Sequence, residues 1–410
     1  MPKKQSFAVI GAGIIGAAVA RELTRRFPDA AVTIFEKEAS PAAHQTGHNS
    51  GVVHAGLYYE PAGLKARLCR RGVGLLRELC SERGLPYEAC GKVLVALDAV
   101  EEGRLDAIFE RAVANGVPGV RMLNPEELQE IEPNVVGRRA LHSPETAIVD
   151  YTRITEALID DIRQAGGTIN FVTEVHKVSE SGTAAQVATT YSQEMFDFVI
   201  VCAGLQSDRL AVRSGEGSDP SIVPFFGQYF VLEPAFRHVV KGLVYPVADP
   251  KYPFLGVHLT KRIDGETTIG PNAFLSLSRE VYSGLGANLG DILSTMYFPG
   301  FWRFAGRNTA TAAREIQTVV SKKRFIAEAQ KYVPSIEGAN VVRAPRGIRA
   351  QALSRDGGLV DDFIIQQRGR ITHVRNAPSP GATSSMAIAE YIVDAAISQH
   401  SLTARPKARE

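Results

Sequence analysis

The chain has 410 residues, 45% hydrophobic and 22% charged, which is ordinary for a folded protein with room for two sizeable cores. Its 46 lysines and arginines nearly balance 44 acidic residues, so no overall field draws in nucleic acid, and the basic triplet Lys322, Lys323 and Arg324 is expected to be a solvated helix face. No run of about 18 apolar residues suited to a membrane span occurs, and the first strand starts too soon after Met1 to leave room for a signal segment, so the cytoplasm is the expected location.

The N-terminal "FAVIGAGIIGAAVA" reads as a strand, a glycine turn and a helix running from Ile14 to Phe27. Gly11, Gly13 and Gly16 fit the GxGxxG pattern: the first allows the tight bend, the second lets backbone approach a pyrophosphate, and the third lets helix and strand pack closely. The helix N-terminus then offers free N–H groups to phosphate oxygens. A second apolar strand, "VTIFEKE", ends on Glu36, twenty residues after Gly16, where a carboxylate accepts hydrogen bonds from ribose hydroxyls. The reading is a dinucleotide site, with Ile14, Ile15 and Lys37 as further candidate contacts, and the motif alone does not separate FAD from NAD.

The next stretch, "HQTGHNSGVVHAGLYY" at 44–59, favours FAD. Thr46, Asn49 and Ser50, beside Gly47 and Gly51, offer backbone and side-chain donors to a pyrophosphate or brace a bulky ring. Cys69, Cys80, Cys90 and Cys202 lack CxxC spacing and a nearby histidine cluster, so no metal is expected and the thiols read as reduced and mostly buried.

An insertion at roughly 85–145 precedes an amphipathic helix at Arg153 to Ala165, which leads through Gly166 and Gly167 into the strand-like "TINFVTEVHKV" and then a buried strand, "FDFVIVCAG". Val175, Ala203 and Gly204 join the candidate nucleotide contacts here. A second insertion, 221–340, alternates polar and apolar residues in "QYFVLE" and "TTIGPNAF", as an antiparallel sheet does. The last strand, "RITHVRNA", is followed by "PSPGATSS" and a long closing helix, so that Pro380, Gly381, Ala382, Thr383 and Ser384 can aim N–H groups at an electron-rich flavin edge. The expected architecture is α/β: a Rossmann-type FAD-binding domain from 1–84, 146–220 and 341–400, interleaved with a mainly antiparallel α+β substrate domain from 85–145 and 221–340, and a loose tail at 401–410.

The stretches "HQTGHNSGVVHAGLYY", "GVHLTKRIDGETTIGPNAF", "FPGFWR", "RGIRAQAL" and "HVRNAPSPGATSS", in this order from Phe7 to about Ile397, resemble the L-2-hydroxyglutarate oxidase/dehydrogenase family of the D-amino-acid-oxidase-like, FAD-dependent superfamily. The resemblance implies two interleaved domains, FAD, and oxidation of 2-hydroxyglutarate to 2-oxoglutarate. It also implies that His54 faces the flavin. One departure stands out: "VPFFGQYF" carries Phe226 and Gln228 where a "PFRGEY"-like strand would carry Arg and Glu, in a region expected to approach the substrate. An amine or amino-acid oxidase of the same superfamily is the alternative, and a flavin-binding subunit without turnover is the non-enzymatic one.

Oxidising a 2-hydroxy acid needs a hydride acceptor, a group for the hydroxyl proton and a cation for the carboxylate. His54 and His258 are the candidates for the proton, with His373 behind them. Arg349 in "RGIRAQ" suits the carboxylate, because guanidinium pairs with it in a planar, bidentate fork. Lys261, Arg346, Tyr58, Tyr59 and Tyr245 are open possibilities for a second carboxylate. With no second NAD site and no cysteine cluster, electrons are expected to pass to oxygen or a quinone. The aromatic "MYFPGFWRF" at 296–304, beside Arg303 and Arg307, is either core or a peripheral membrane contact.

Overall fold

The computed structural model describes residues 4–249, 256–283, 286–308, 322–344 and 346–406; the side chains of Lys322, Lys323 and Arg324, and residues 407–410, lie outside the described set. Its first layer is a six-stranded sheet in the order Ile364–Arg368, Ile371–Asn376, Phe198–Val201, Ser6–Ile10, Ala31–Phe35, Thr168–Asn170. All neighbours are parallel except the first pair, which is antiparallel at the edge. The central strands are buried on both faces, as crossover helices require.

The helix Ile14–Arg26 follows the first strand and ends at Phe27, where Pro28 disfavours helical backbone and φ is −130° with ψ 70°. It packs between helices Tyr151–Gln164 and Ser385–His400, burying Ala17, Ala20 and Leu23 with Leu158, Ile162, Ile388 and Ile392. Asp150 starts the helix Tyr151–Gln164 by accepting from the Thr152 and Arg153 N–H groups. Three segments distant in sequence therefore share one core.

The stretch "TINFVTEVHKV" is not one strand. Thr168–Asn170 joins the parallel sheet, and after Val172, at φ 52°, Val175–Ser181 belongs to a separate three-stranded antiparallel sheet. The second large layer has eight strands in the order Val341–Arg343, Phe230–Leu232, Thr267–Gly270, His258–Lys261, Leu243–Pro246, Lys92–Ala96, Arg139–Ser143, Arg121–Leu123. Only the pairing of Leu243–Pro246 with Lys92–Ala96 is parallel. Beside it, Ser221–Gly227 pairs with Phe274–Leu275 and with Gly347–Leu353. The antiparallel pairing thus runs past residue 340, the break expected from sequence, because Val341–Arg343 and Gly347–Leu353 hydrogen-bond to strands of the insertion.

The C-terminal stretch also differs from a loose tail: the Arg405 N–H donates to the Arg26 carbonyl at 2.8 Å, Arg26 Nε donates to the Arg405 carbonyl at 2.7 Å, and Leu402 and Ala404 pack on the first core. The four thiols are free, Cys69 and Cys80 buried and Cys90 and Cys202 partly so, and burial pushes Cys69 and Cys202 up to about 12. No helix among the described residues is long and apolar enough to cross a membrane.

Candidate active site

A cavity of about 1310 Å³ is lined both by the glycine turn and by the antiparallel sheet. That exceeds the roughly 300–1,000 Å³ of a site for one drug-sized ligand, leaving room for a dinucleotide and a small acid together.

At one end the backbone forms a cradle. Gly11 has φ 105°, and a Cβ there would lie 2.5 Å from the Cys202 carbonyl oxygen; at Gly16 it would lie 2.0 Å from the Gly11 oxygen. At Gly13 a Cβ would meet only Thr46 Oγ1, at 3.4 Å, so this glycine is open on its cavity side. Thr46 Oγ1 accepts the Ile14 N–H at 3.1 Å and ties the 44–59 loop to the helix start. The buried Glu36 carboxylate accepts the Ala12 N–H at 2.7 Å on one oxygen and the Glu38 N–H at 2.9 Å on the other, and each oxygen keeps a lone pair for a ribose hydroxyl. An open glycine, a helix N-terminus and a strand-end carboxylate together fit FAD.

Ile14, Ile15, Lys37, Asn49, Ser50, Val175, Ala203, Gly204 and Pro380 through Thr383 also line the cavity. Lys37 is already paired with Glu38 and Glu280. Asn49 braces the loop, donating to the Gln45 and Thr46 carbonyls and accepting the Gly51 N–H at 2.8 Å. Two candidates stand off the cavity. Gly51 is a turn residue, at φ 72°, whose carbonyl accepts the Val149 N–H at 2.8 Å. Ser384 is fully buried at the start of the closing helix, its N–H donating to the Pro380 carbonyl at 2.9 Å.

At the other end the cavity brings His54, His258 and Arg349 together. The His54 N–H donates to Thr383 Oγ1 at 3.1 Å; that oxygen lies 3.1 Å from the Tyr151 hydroxyl, which also reaches the Val52 carbonyl. The 44–59 loop and the 378–385 loop are fixed to each other by this chain, and His54 Nε2 sits 3.4 Å from Ser379 Oγ. His258 places Nδ1 3.0 Å from the Gly256 carbonyl, which makes Nδ1 the protonated nitrogen and leaves Nε2 as the acceptor. Its ring stacks on Tyr245 at 3.8 Å between centroids. Burial pushes both histidines down to about 3, with the positive charges of Lys92 and Arg349 adding to it, so both are neutral around pH 7. Arg349 faces the cavity from strand Gly347–Leu353, hydrogen-bonded to Tyr229.

Phe226 and Gln228 do not line this cavity; their alternate neighbours Gly227 and Tyr229 do. Phe226 stacks on Phe274 with Arg346 over its ring at 4.8 Å, and Gln228 Nε2 donates to the Tyr229 and Ala344 carbonyls. The departure from "PFRGEY" therefore falls on the side of the segment facing away from the cavity. Lys261, paired with Glu88, and Arg346 are off the cavity too, whereas Tyr58, Tyr59 and Tyr245 line it. His373 is buried within its strand and does not line it. Sequence reasoning passed over Gln45, whose Oε1 accepts the Ala350 N–H at 3.0 Å, and Tyr151 and Tyr229. Tyr229 was legible as the residue two beyond Gly227; the other two had no local signal.

Residues 6–395 match the family described as FAD dependent oxidoreductase. The "L-2-hydroxyglutarate dehydrogenase, mitochondrial" of Nematostella vectensis is 42% identical, covering 96% of this chain and 91% of that one. The Homo sapiens protein of the same name is 41% identical, over 94% and 87%, and the Escherichia coli "L-2-hydroxyglutarate dehydrogenase" 40%, over 94% and 92%. Among solved structures, FAD-bound, dithionite-reduced L-alpha-glycerophosphate oxidase from Mycoplasma pneumoniae superposes with a TM-score of 0.77 at 23% identity, covering 99% of this chain and 97% of that one. Glycine oxidase from Geobacillus kaustophilus gives 0.70 at 19%, over 95% and 94%, and both establish the shared fold. The chain belongs to the FAD-dependent oxidoreductases and, among them, to the family of the L-2-hydroxyglutarate dehydrogenases.

Proposed function

We propose that this protein oxidises L-2-hydroxyglutarate to 2-oxoglutarate with FAD as its cofactor. The observation that carries the reading is one cavity joining a dinucleotide cradle to two neutral histidines and an arginine, in a chain 40–42% identical along its length to relatives named for this activity. FAD, when bound, supplies the hydride acceptor at N5 for the hydrogen on C2. Glu36 would hold the ribose, and Gly13 with the helix N-terminus would hold the pyrophosphate. The Arg349 guanidinium takes the carboxylate next to C2 as a planar fork, with Tyr229 fixing its orientation. The hydroxyl proton passes to His258 Nε2, the free acceptor of a ring whose tautomer the Gly256 carbonyl sets. The protonated ring then sheds its proton to water readily, since burial and the positive charge of Arg349 both oppose its charged form. His54, anchored by Thr383, orients the acid against the closing loop.

For electron exit, the surface supports a membrane quinone over oxygen. Phe301 and Phe304 are core residues, but Leu289, Tyr297 and Trp302 are 77%, 81% and 58% exposed, next to the exposed Arg303 and Arg307. Apolar and aromatic side chains flanked by cations suit an anionic bilayer surface, which would place the protein peripherally on the inner face of the cell membrane. Sedimentation with anionic vesicles that is lost in a Tyr297→Ser, Trp302→Ser variant supports this; free protein producing peroxide rapidly in air points to oxygen instead. The substrate reading is tested by anaerobic mixing with 2-hydroxy and 2-amino acids: L-2-hydroxyglutarate bleaches the flavin and yields 2-oxoglutarate, and bleaching by amino acids alone would refute it.

A further inference from the structure

The strand Lys92–Ala96 is buried from end to end, and its first residue is a lysine 2% exposed. On the same face, Leu94 and Ala96 pack with Leu57, Leu243 and Tyr245. The backbone of Lys92 is paired with the strands on both sides, but its ammonium makes no hydrogen bond or ion pair among the described residues. Its Nζ lies instead 3.9 Å from the centroid of the Tyr245 ring and 4.9 Å from that of Tyr58, two rings that line the cavity. Tyr245 in turn stacks on His258. A buried ammonium normally has an anion; two aromatic faces replace only part of its lost hydration. The groups around it offer none. His54 and His258 are neutral, Tyr58 and Tyr245 are phenols that burial keeps protonated, and Arg349 is a cation. Glu88 and Asp361, on neighbouring segments, are committed to Lys261 and Lys65.

We infer that Lys92 selects a dicarboxylate: its ammonium, behind the Tyr58 and Tyr245 rings, is the counter-charge for the substrate carboxylate that Arg349 does not take. This rests on the reading of the substrate as a 2-hydroxy dicarboxylic acid. The electrostatics agree, since burial alone brings the free lysine down to about 7, so that near pH 8 it is mostly neutral until an anion arrives. Lys92 is thus a specificity-determining residue acting across an aromatic wall, and nothing in the hydride or proton transfer requires it.

Calorimetric titration of the FAD-loaded protein with glutarate and with pentanoate, in two buffers of different ionisation enthalpy, tests this. At pH 8, glutarate binding takes up a large fraction of a proton and pentanoate binding takes up none, and above pH 7 the glutarate Kd weakens about tenfold per unit. Lys92→Met abolishes the uptake and brings glutarate down to the level of pentanoate, with the flavin spectrum intact. Lys92→Arg keeps the preference for glutarate and loses its pH dependence, because guanidinium does not titrate in this range. A wild-type glutarate Kd that is flat from pH 7 to 9, or full discrimination in Lys92→Met, overturns the inference while leaving oxidation of L-2-hydroxyglutarate standing. If wild type prefers neither acid and L-2-hydroxyglutarate fails to bleach the flavin, the substrate reading falls and this inference falls with it.

Discussion

Arg349 and Phe226 occupy neighbouring strands, with Gln228 just past the end of the second, yet only the arginine meets the cavity. Arg349→Lys replaces a bidentate fork by a point charge, and steady-state kinetics should show KM for L-2-hydroxyglutarate raised about tenfold or more, a charged hydrogen bond being worth roughly 1.5–3 kcal/mol. The double change Phe226→Arg, Gln228→Glu should instead leave the ranking of acids unchanged, because both side chains point away from the cavity; a reordered substrate panel would show that the strand had been misread. This is also where sequence reasoning met its limit. The residue types on "VPFFGQYF" were plain, but which of two alternating sets faces the acid is fixed by pairing with Gly347–Leu353, far away in the chain. Lys92 is a similar case: a lysine opening "KVLVA" is visible, and the aromatic rings that enclose it come from residues 58 and 245.

The strand–turn–helix at 6–26 was the most legible element, because its glycine spacing and the later Glu36 are local and have a physical reason each. It also separates two roles that glycines share on paper. Gly16→Ala drives a Cβ into the Gly11 carbonyl at 2.0 Å, so thermal unfolding should show destabilisation of about 1–3 kcal/mol or more. Gly13→Ala meets only Thr46 Oγ1 at 3.4 Å, so the chain should fold normally and release FAD more readily in dialysis, having lost the close approach alone. Equal stability loss in both variants would remove Gly13 from the nucleotide. The elements less legible in advance were those whose partners are remote: "TINFVTEVHKV" splits between two sheets, and residues 402–405 dock on the first helix by way of Arg26. Neither has a sequence signature, since each depends on backbone groups finding partners across the fold.

At the scale of the whole molecule, three histidines are held neutral by burial, His54 and His258 at about 3 and His373 at about 4, against 6.5 in an open chain. Between those values the unfolded chain binds more protons than the folded one, so stability contributed by these groups is present above about 6.5 and is lost as pH falls toward 3–4. Melting temperatures recorded from pH 7.5 down to 4.5 should fall, and a His373→Phe variant should fall less steeply; a flat profile would mean that the histidines are charged in the fold. The same neutrality lets His258 act as a base throughout the physiological range. Transfer of the C2 hydrogen of L-2-hydroxyglutarate as a hydride in this cavity is tested most directly by anaerobic stopped-flow reduction of the flavin with the substrate protiated or deuterated at C2. Bleaching several-fold slower with the deuterated acid, and slower still in His258→Gln with FAD retained, is the predicted result. Bleaching at one rate with both isotopologues and in both proteins, or no bleaching by this acid at all, would contradict the account.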